Sequence, residues 1–524
     1  MVAQLSHLIY RTEQVRSGEQ AAAAAIGLSM AQLMQAAAQA CLQAIQDHCA
    51  APARVAIVCG PGNNGGDGWV LARLAQAAGY QVTVYAVPPT TKLAQQAQAA
   101  WQAEGGRWQS SIDSLHGYQI LVDAVLGSGL SRPLTDFYLA AVQAINAAAN
   151  TAAANTAWVL SVDVPTGLNS DTGQPQPIAV TAAHTVTMVA IKAGLVTGKA
   201  KDYVGQLSLA ELGIGAAFSK QPAMAELVQP ELAQRWLAKR KPSSHKGDHG
   251  HLVLIAGGPG MSGAAILAGR AALRSGAGKV TLVTHPHTLA IIAQAQPELM
   301  VHGTDEKGLI PWLEQANAIV IGPGLGRDAW AQQQLQQLLD WHLKLIGPLP
   351  PVVADADALN LLAQLQQGET PPHLRQWVLT PHPAEAGRLL RSVMSTRFAD
   401  ENMTAVVEAD RYEALTQLVT NFNAEVLLKG AGTLIAGPAH QIERILVCER
   451  GSPALATAGS GDVLSGLLGA LLAQHRQPSA AALHELVATA VWVHAVAGEN
   501  AAQAGERGTI ASDIVNELRA LVNP

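Results

Sequence analysis

Thr457-Ala-Gly-Ser-Gly-Asp-Val-Leu-Ser-Gly466 stands directly ahead of Leu467-Leu-Gly-Ala-Leu-Leu472, an apolar run that reads as a buried helix. Small residues before such a helix leave backbone N–H groups free to face a ligand. The helix N-terminus adds a partial positive charge, so the turn suits anionic oxygens. Asp462 is then electrostatically out of place in it. A carboxylate there has a use if it must take a proton from a hydroxyl beside a phosphate. The plainer reading is an Asp serving as the N-cap of the helix.

Upstream, Val426-Leu-Leu-Lys-Gly-Ala-Gly-Thr-Leu-Ile435 reads as strand, loop and strand. The loop Lys429, Gly430, Ala431, Gly432, Thr433 can set one ammonium and several backbone N–H groups against nucleotide phosphates. The Gly-Ser-Gly-Asp turn 459–462 resembles the anion-hole motif of the ribokinase-like superfamily, in which the Asp activates a substrate hydroxyl for phosphoryl transfer. Further apolar strands open into polar loops at Gly257–Gly263, Gly322-Pro-Gly-Leu-Gly326, Val352-Val-Ala-Asp-Ala-Asp357 and Thr380-Pro-His-Pro-Ala-Glu385. His382, between two prolines at a strand end, is fixed on the loop side of such a sheet.

A chain of 524 residues exceeds one ordinary core, so two large domains are expected. The 48 glycines and 49% hydrophobic residues suit α/β units with many tight strand-to-helix turns. A net charge of −6 argues against nucleic acid, whose binders are usually basic. Cys41, Cys49, Cys59 and Cys448 fit neither a zinc site nor a disulfide framework, and a reduced, cytoplasmic protein is expected. No secretory signal or membrane span is read from the sequence.

The N-terminal half begins with two helices, from about Thr12 to His48, broken at Gly27-Leu28-Ser29. Strand Arg54–Cys59, a Gly-rich loop to Gly68, a helix from about Trp69 to Ala78 and strand Gln81–Val87 make a βαβ unit. Gly60, Gly62 and Gly65 satisfy the G-x-G-x-x-G spacing. No acid ends the second strand, however, which disfavours ordinary recognition of an NAD ribose. Asn63, Asn64, Gly65, Gly66 and Asp67 offer amide carbonyls for a hard cation together with exposed N–H groups. Two more strands end in carboxylates. Asp123 leads into Gly127, Ser128, Gly129, Leu130, Ser131, Arg132 and Pro133, and Asp163 leads into Val164-Pro-Thr166. In a parallel sheet these loops converge beyond the carboxyl ends of the strands. A strand His184–Ile191 then precedes Lys192-Ala-Gly-Leu-Val-Thr-Gly-Lys199, which is not a phosphate-binding Walker loop. The first domain is set at 1–220, a linker at 221–241 and the second domain at 242–524.

These motifs are similar to the N-terminal epimerase domain of the NAD(P)H-hydrate repair enzymes over roughly residues 10–215. From about residue 230 the chain resembles their ADP- or ATP-dependent dehydratase domain. The matches there are His245-Lys-Gly, Gly263-Ala264, 322–326, 380–383, 429–433 and 459–462, with Ala384 where the family often has Gly. The resemblance implies an N-terminal Rossmann-like three-layer αβα sandwich and a C-terminal ribokinase-like αβα domain. It further implies that Asn64, Asp123 and Thr166 bind K+, and that residues 63–67, 127–133 and Asp163 hold the hydrated dinucleotide. Ala264, Gly324, Gly326, His382 and Asp462 would meet the hydrate in the second domain, and residues 429–433 with Gly461 the nucleotide. Mg2+ and ADP are the implied partners there. NADH and NADPH hydrates are the implied substrates, with Asp163 and Asp462 catalytic, and a homo-oligomer is expected. The rival is a small-molecule alcohol kinase fused to a dinucleotide-binding module, which the 429–433 and 459–462 loops alone permit. A sensing module that has lost catalysis is a second.

Overall fold

The computed structural model describes residues 5–112, 114–130, 133–149, 157–304, 308–345, 347–365, 373–393 and 402–523. The chain divides into two compact units, Met1–Glu226 and Leu227–Pro524.

The first unit is built on a seven-stranded parallel sheet. Its spatial order is Trp108–Gln109, Gln81–Ala86, Arg54–Cys59, Ile120–Ala124, Trp158–Val162, His184–Met188 and Gln206–Ala210. Both faces are covered, as a parallel sheet requires. Val55, Ile57 and Cys59 pack with the helices Met30–His48 and Asn63–Ala77. Ala56 and Val58 join the core under Asp136–Ala149 on the other face. The chain reverses its direction of travel between Arg54–Cys59 and Ile120–Ala124, so the loops after these strands diverge and leave a crevice.

Two boundaries differ from expectation. The helix expected from Trp69 begins at Asn63, one residue after the extended Gly62. Gly and Asn are poor helix formers, but close packing demands them here. A Cβ on Gly65 would fall 1.9 Å from the Gly60 carbonyl oxygen, and one on Gly68 would meet Cys59 Sγ at 2.8 Å. The strand expected over His184–Ile191 is interrupted after Met188 by Val189, whose φ is +68°, and resumes at Ile191–Lys192. That kink turns Lys192 inward.

The second unit carries a parallel sheet in the order Met300–Gly303, Lys279–Thr284, His251–Ile255, Ala318–Ile321, Val352–Ala354, Trp377–Leu379 and Glu425–Leu428, extended by antiparallel Thr433–Ala436 and Ile445–Cys448. Its central helix runs from Ser460 to Gln474, starting seven residues before the apolar run that announced it. Gly466 explains the early start. A Cβ there would lie 2.0 Å from the Ala268 carbonyl oxygen, so this helix presses directly on Ser262–Arg274. The helix Ala480–Ala501 is long and apolar enough to cross a membrane, yet Leu486, Val487, Val493 and most of its length are buried in the core of this unit. The stretch 221–241 contains a short strand, Ala225–Leu227, and the helix Pro230–Trp236.

Candidate active sites

In the first unit, a cleft of about 410 Å³ opens at the crevice between the diverging loops that follow Arg54–Cys59 and Ile120–Ala124. Asn63, Asn64 and Asp67 reach it from the first turns of their helix, Gly127–Gly129 from the next loop, and Asp163 and Lys192 from beyond their strands. Arg16, Glu19 and Met34 close it from the N-terminal helices. Asp163 is buried and held at a φ of +69°, a conformation that costs a non-glycine residue about 1–3 kcal/mol and persists where surroundings fix it. The fixing groups are plain. Lys192 Nζ donates to Asp163 Oδ1 at 2.5 Å, the Met188 amide to the same oxygen at 3.2 Å, and the Ser128 amide to Oδ2 at 3.1 Å. Burial pushes the Asp163 carboxyl up, but the Lys192 ammonium and these hydrogen bonds outweigh it and hold the group below its usual range. Asp67, in the same cleft, goes the other way. Burial first, then the Asp163 and Glu19 carboxylates, raise it well above its usual value. One cleft thus holds one carboxyl held low and another pushed up, the opposed pair that acid–base chemistry uses.

Behind the cleft, Asp123 is fully buried. Oδ1 accepts from Thr166 Oγ1 at 2.6 Å, and Oδ2 from the Thr166 amide at 2.8 Å and Ser161 Oγ at 2.9 Å. Burial is the largest influence and leaves its carboxyl raised despite these donors. Among the described residues no cationic side chain is paired with it. Asn64 Nδ2 is buried without a hydrogen-bond partner. A Cβ on Gly127 would lie 2.9 Å from both Asn64 Oδ1 and Asp163 Oδ2, so only glycine allows this approach. A buried carboxylate lacking a counter-charge and bonded to the Thr166 hydroxyl offers oxygens of the kind a hard cation takes, and Asn64 Oδ1 adds another at the neighbouring Gly127 loop. Gly65 and Gly66 pack against Gly60 and Met34, and Leu130 and Pro133 continue the 127–129 loop. Ser131 and Arg132 lie outside the described residues.

The second unit gathers its charges around Lys429. Its ammonium donates to Asp355 Oδ1 at 2.7 Å and stands 3.9 Å from Glu385 Oε2. Asp355 also accepts from Thr380 Oγ1 at 2.8 Å and Ser465 Oγ at 2.7 Å, which ties three strand ends and the central helix to one carboxylate. Arg411, 1% exposed, donates to the Leu428 and Lys429 carbonyl oxygens at 3.2 Å each and so braces the 429–433 loop from beneath. A Cβ on Gly461 would sit 3.5 Å from Lys429 Nζ, so the two phosphate-type loops face each other. On the near side, Gly324 packs against Ala264, and the Gly326 amide donates to Asp357 Oδ2 at 2.9 Å. His382 is half-exposed; its amide donates to Glu385 Oε2 at 2.9 Å, and its ring lies 3.4 Å from Oε1.

Asp462 is not the helix cap. That position belongs to Gly459, with a φ of +88°, and Asp462 lies inside the first turn. Burial chiefly, then the Asp355 charge, raises its carboxyl to about 7 against the pull of Lys429. A proton acceptor poised near neutrality is what general-base chemistry asks for. Glu385 is likewise raised to about 7, first by burial. His494, kept neutral by burial at a value of about 4, donates Nε2–H to the Ser460 carbonyl oxygen at 3.0 Å and steadies this turn. Among the described residues no group of three or more His, Cys, Asp or Glu side chains is set to hold a metal. A divalent ion here would be carried largely by nucleotide phosphates and water, the usual manner for Mg2+.

Lys192, Asp355, Glu385 and Arg411 are the functional candidates that residue-level reading of the sequence leaves out. The first two could be suspected only as charged residues at the ends of apolar strands. His245-Lys-Gly stands apart from the phosphate loops. It belongs to the turn before His251–Ile255, where a Cβ on Gly250 would meet the Ala473 carbonyl oxygen at the far end of the central helix.

A family model described as NAD(P)H-hydrate dehydratase matches residues 252–520, and one described as YjeF-related protein N-terminus matches residues 30–194. The bifunctional NAD(P)H-hydrate repair enzyme Nnr of Escherichia coli (strain K12) is 37% identical over 99% of this chain and 95% of its own length. Its counterpart in Coxiella burnetii is 38% identical over 99% of this chain and 100% of its own. Among solved structures, an ADP/ATP-dependent NAD(P)H-hydrate dehydratase from Bacillus subtilis, co-crystallised with ATP/Mg2+, aligns with 57% of this chain and 97% of its own at 26% identity and a TM-score of 0.46. Aligned from end to end with relatives that carry both halves, the chain belongs to the family of bifunctional NAD(P)H-hydrate repair enzymes.

Proposed function

We propose that the first unit interconverts the R and S hydrates of NADH and NADPH and that the second dehydrates the S form at the expense of ADP. The observation that carries this is the position of Asp462, a carboxyl raised to about 7 in a first helical turn that faces Lys429. Hydroxide is a poor leaving group at neutral pH. Asp462 takes the proton of the ring hydroxyl as its oxygen attacks the terminal phosphorus of ADP, releasing AMP. The Gly459–Gly461 backbone and Lys429 face the charge on the transferring group. Loss of a proton from the neighbouring ring carbon and departure of phosphate then restore the double bond, so the oxygen of the added water leaves in the phosphate and its two hydrogens leave as protons, one through Asp462 and one from the ring carbon. Mg2+, when bound, supplies charge neutralisation on the nucleotide phosphates.

In the first unit Asp67, whose carboxyl is raised by burial and by the neighbouring Asp163 and Glu19 carboxylates, gives a proton to the departing hydroxyl and recovers it when water returns to the other ring face. Ionised Asp163, anchored by Lys192, faces the ring cation formed between these steps. Asn64, Asp123 and Thr166 would hold K+, which would supply the counter-charge that Asp123 lacks. K+ is expected to raise the folding midpoint of the wild type but not that of Asp123→Asn, which keeps the hydrogen-bonding shape and removes the charge. An equal K+ response in both proteins would contradict the site. The four free thiols agree with a reducing, cytoplasmic setting.

Each unit has its own core and phosphate-facing loops, so a fragment beginning at Leu227 is expected to fold and to dehydrate S hydrate with ADP. A soluble, folded fragment inert with both ADP and ATP would contradict the reading. An alcohol kinase would leave a stable phosphate ester, and product analysis by mass spectrometry separates the two.

A further inference from the structure

The second unit has another cleft, about 820 Å³, that the repair chemistry does not use. It lies where the central helix ends. Leu471, Gln474 and His475 form one wall, while Asp462 is twelve residues back along the same helix, about 18 Å at the usual helical rise. Lys239, Arg240, Lys241, Arg274 and Arg519 surround it, against one acid, Asp248.

Part of that charge has a plain explanation. The helices Pro230–Trp236, Ser262–Arg274, Ser460–Gln474 and Ala511–Leu521 all end near here, and each C-terminus carries about half a negative charge. Arg240 is indeed spent in this way, donating to the Gly276 carbonyl oxygen. Four helix ends and Asp248 amount to about three negative charges, against five positive side chains. The balance is cationic in a protein whose net charge is −6. Among the described residues, none of the five makes an ion pair with a carboxylate.

A second observation is independent of charge. The floor is apolar, made by Leu237, Leu273, Leu471 and Val522, and the rings of Trp236 and His475 meet edge to face at 5.0 Å beside it. A basic rim and an apolar, aromatic floor suit a ligand with one flat, weakly polar end and one polyanionic end. The volume falls in the range of small-molecule sites. We infer that this cleft is a second binding site for an organic di- or triphosphate bearing a planar ring, of the nucleotide class, separate from the phosphate loops at the other end of the central helix.

Calorimetric titration of the full chain with ADP, and with inorganic tripolyphosphate as a ring-free probe, tests this. ADP is expected to show a site that Arg274→Glu/Arg519→Glu weakens at least tenfold, in addition to the site at Lys429. Lys239→Gln/Lys241→Gln, confined to exposed side chains, is expected to weaken it in the same direction and guards against misfolding of the first pair. Neither pair should change kcat or the KM for ADP in dehydration. Tripolyphosphate should compete with ADP there but bind more weakly. A single ADP site in the wild type, or a second site indifferent to both pairs, overturns the inference. Tripolyphosphate binding as tightly as ADP overturns the assignment of a ring-bearing ligand. Failure of dehydration itself would count against the proposed function and leave this result unaffected.

Discussion

Asp462→Asn is expected to lower the dehydration rate about 10²–10⁴-fold, the usual loss when a positioned general base is removed. Asn keeps the size of the side chain but cannot take the hydroxyl proton. Nucleotide affinity should persist, because Lys429 stays locked to Asp355 at 2.7 Å and the Gly459–Gly461 amides are untouched. One negative charge beside the phosphates is gone, which favours binding if anything. The wild type adds a second signature. The base works ionised and its carboxyl is raised to about 7, so the rate should rise with pH below neutrality and level off above it. In Asp462→Asn that limb should vanish. A variant that keeps both the rate and the limb would return Asp462 to a structural role.

Asp163→Asn is expected to cut R-to-S conversion by about 10²–10³-fold, the usual loss when a preorganised charge facing the reacting centre is removed, while leaving S dehydration at the wild-type rate. The substitution leaves the Lys192 ammonium buried without its carboxylate, and breaking such a pair typically costs about 3–5 kcal/mol. Thr187 Oγ1 at 3.1 Å and the Met188 carbonyl oxygen at 2.6 Å still accept from that ammonium and soften the loss. Lys192→Met made together with Asp163→Asn removes the orphan charge and separates lost stability from lost chemistry. Recovery of stability without recovery of epimerisation is the expected pattern. Normal epimerisation in either protein would contradict the role of Asp163.

The βαβ unit from Arg54 to Ala86 and the strand-to-loop landmarks of the second unit were legible because apolar runs of strand length end in Gly, Asp or Pro. Such signals are local. Where a helix starts is not local when tertiary packing decides it. At Asn63 and Ser460 the glycines that look like loop are the residues that let each helix lie against a neighbouring backbone. The converging carboxylates Asp123 and Asp163 were legible from their places at strand ends. Their partners were not, because the pairs join residues far apart in sequence. Lys192 meets Asp163 across 29 residues and Lys429 meets Asp355 across 74. Nor does the sequence reveal that the Asp67 carboxyl is pushed up while that of Asp163 is held down, since burial, the Lys192 ammonium and mutual repulsion act only in the fold.

Two sites on one chain, one for each epimer's fate, are tested most directly by a single mixture. R and S hydrates are incubated with ADP, and the absorbance of reduced nicotinamide is followed with chromatography of both epimers. The wild type is expected to return the whole mixture. Asp163→Asn should return the S fraction and then slow to the spontaneous rate of interconversion. Asp462→Asn should return neither, while R and S continue to exchange. Complete recovery by Asp163→Asn at the wild-type rate, or any rapid recovery by Asp462→Asn, would contradict the account.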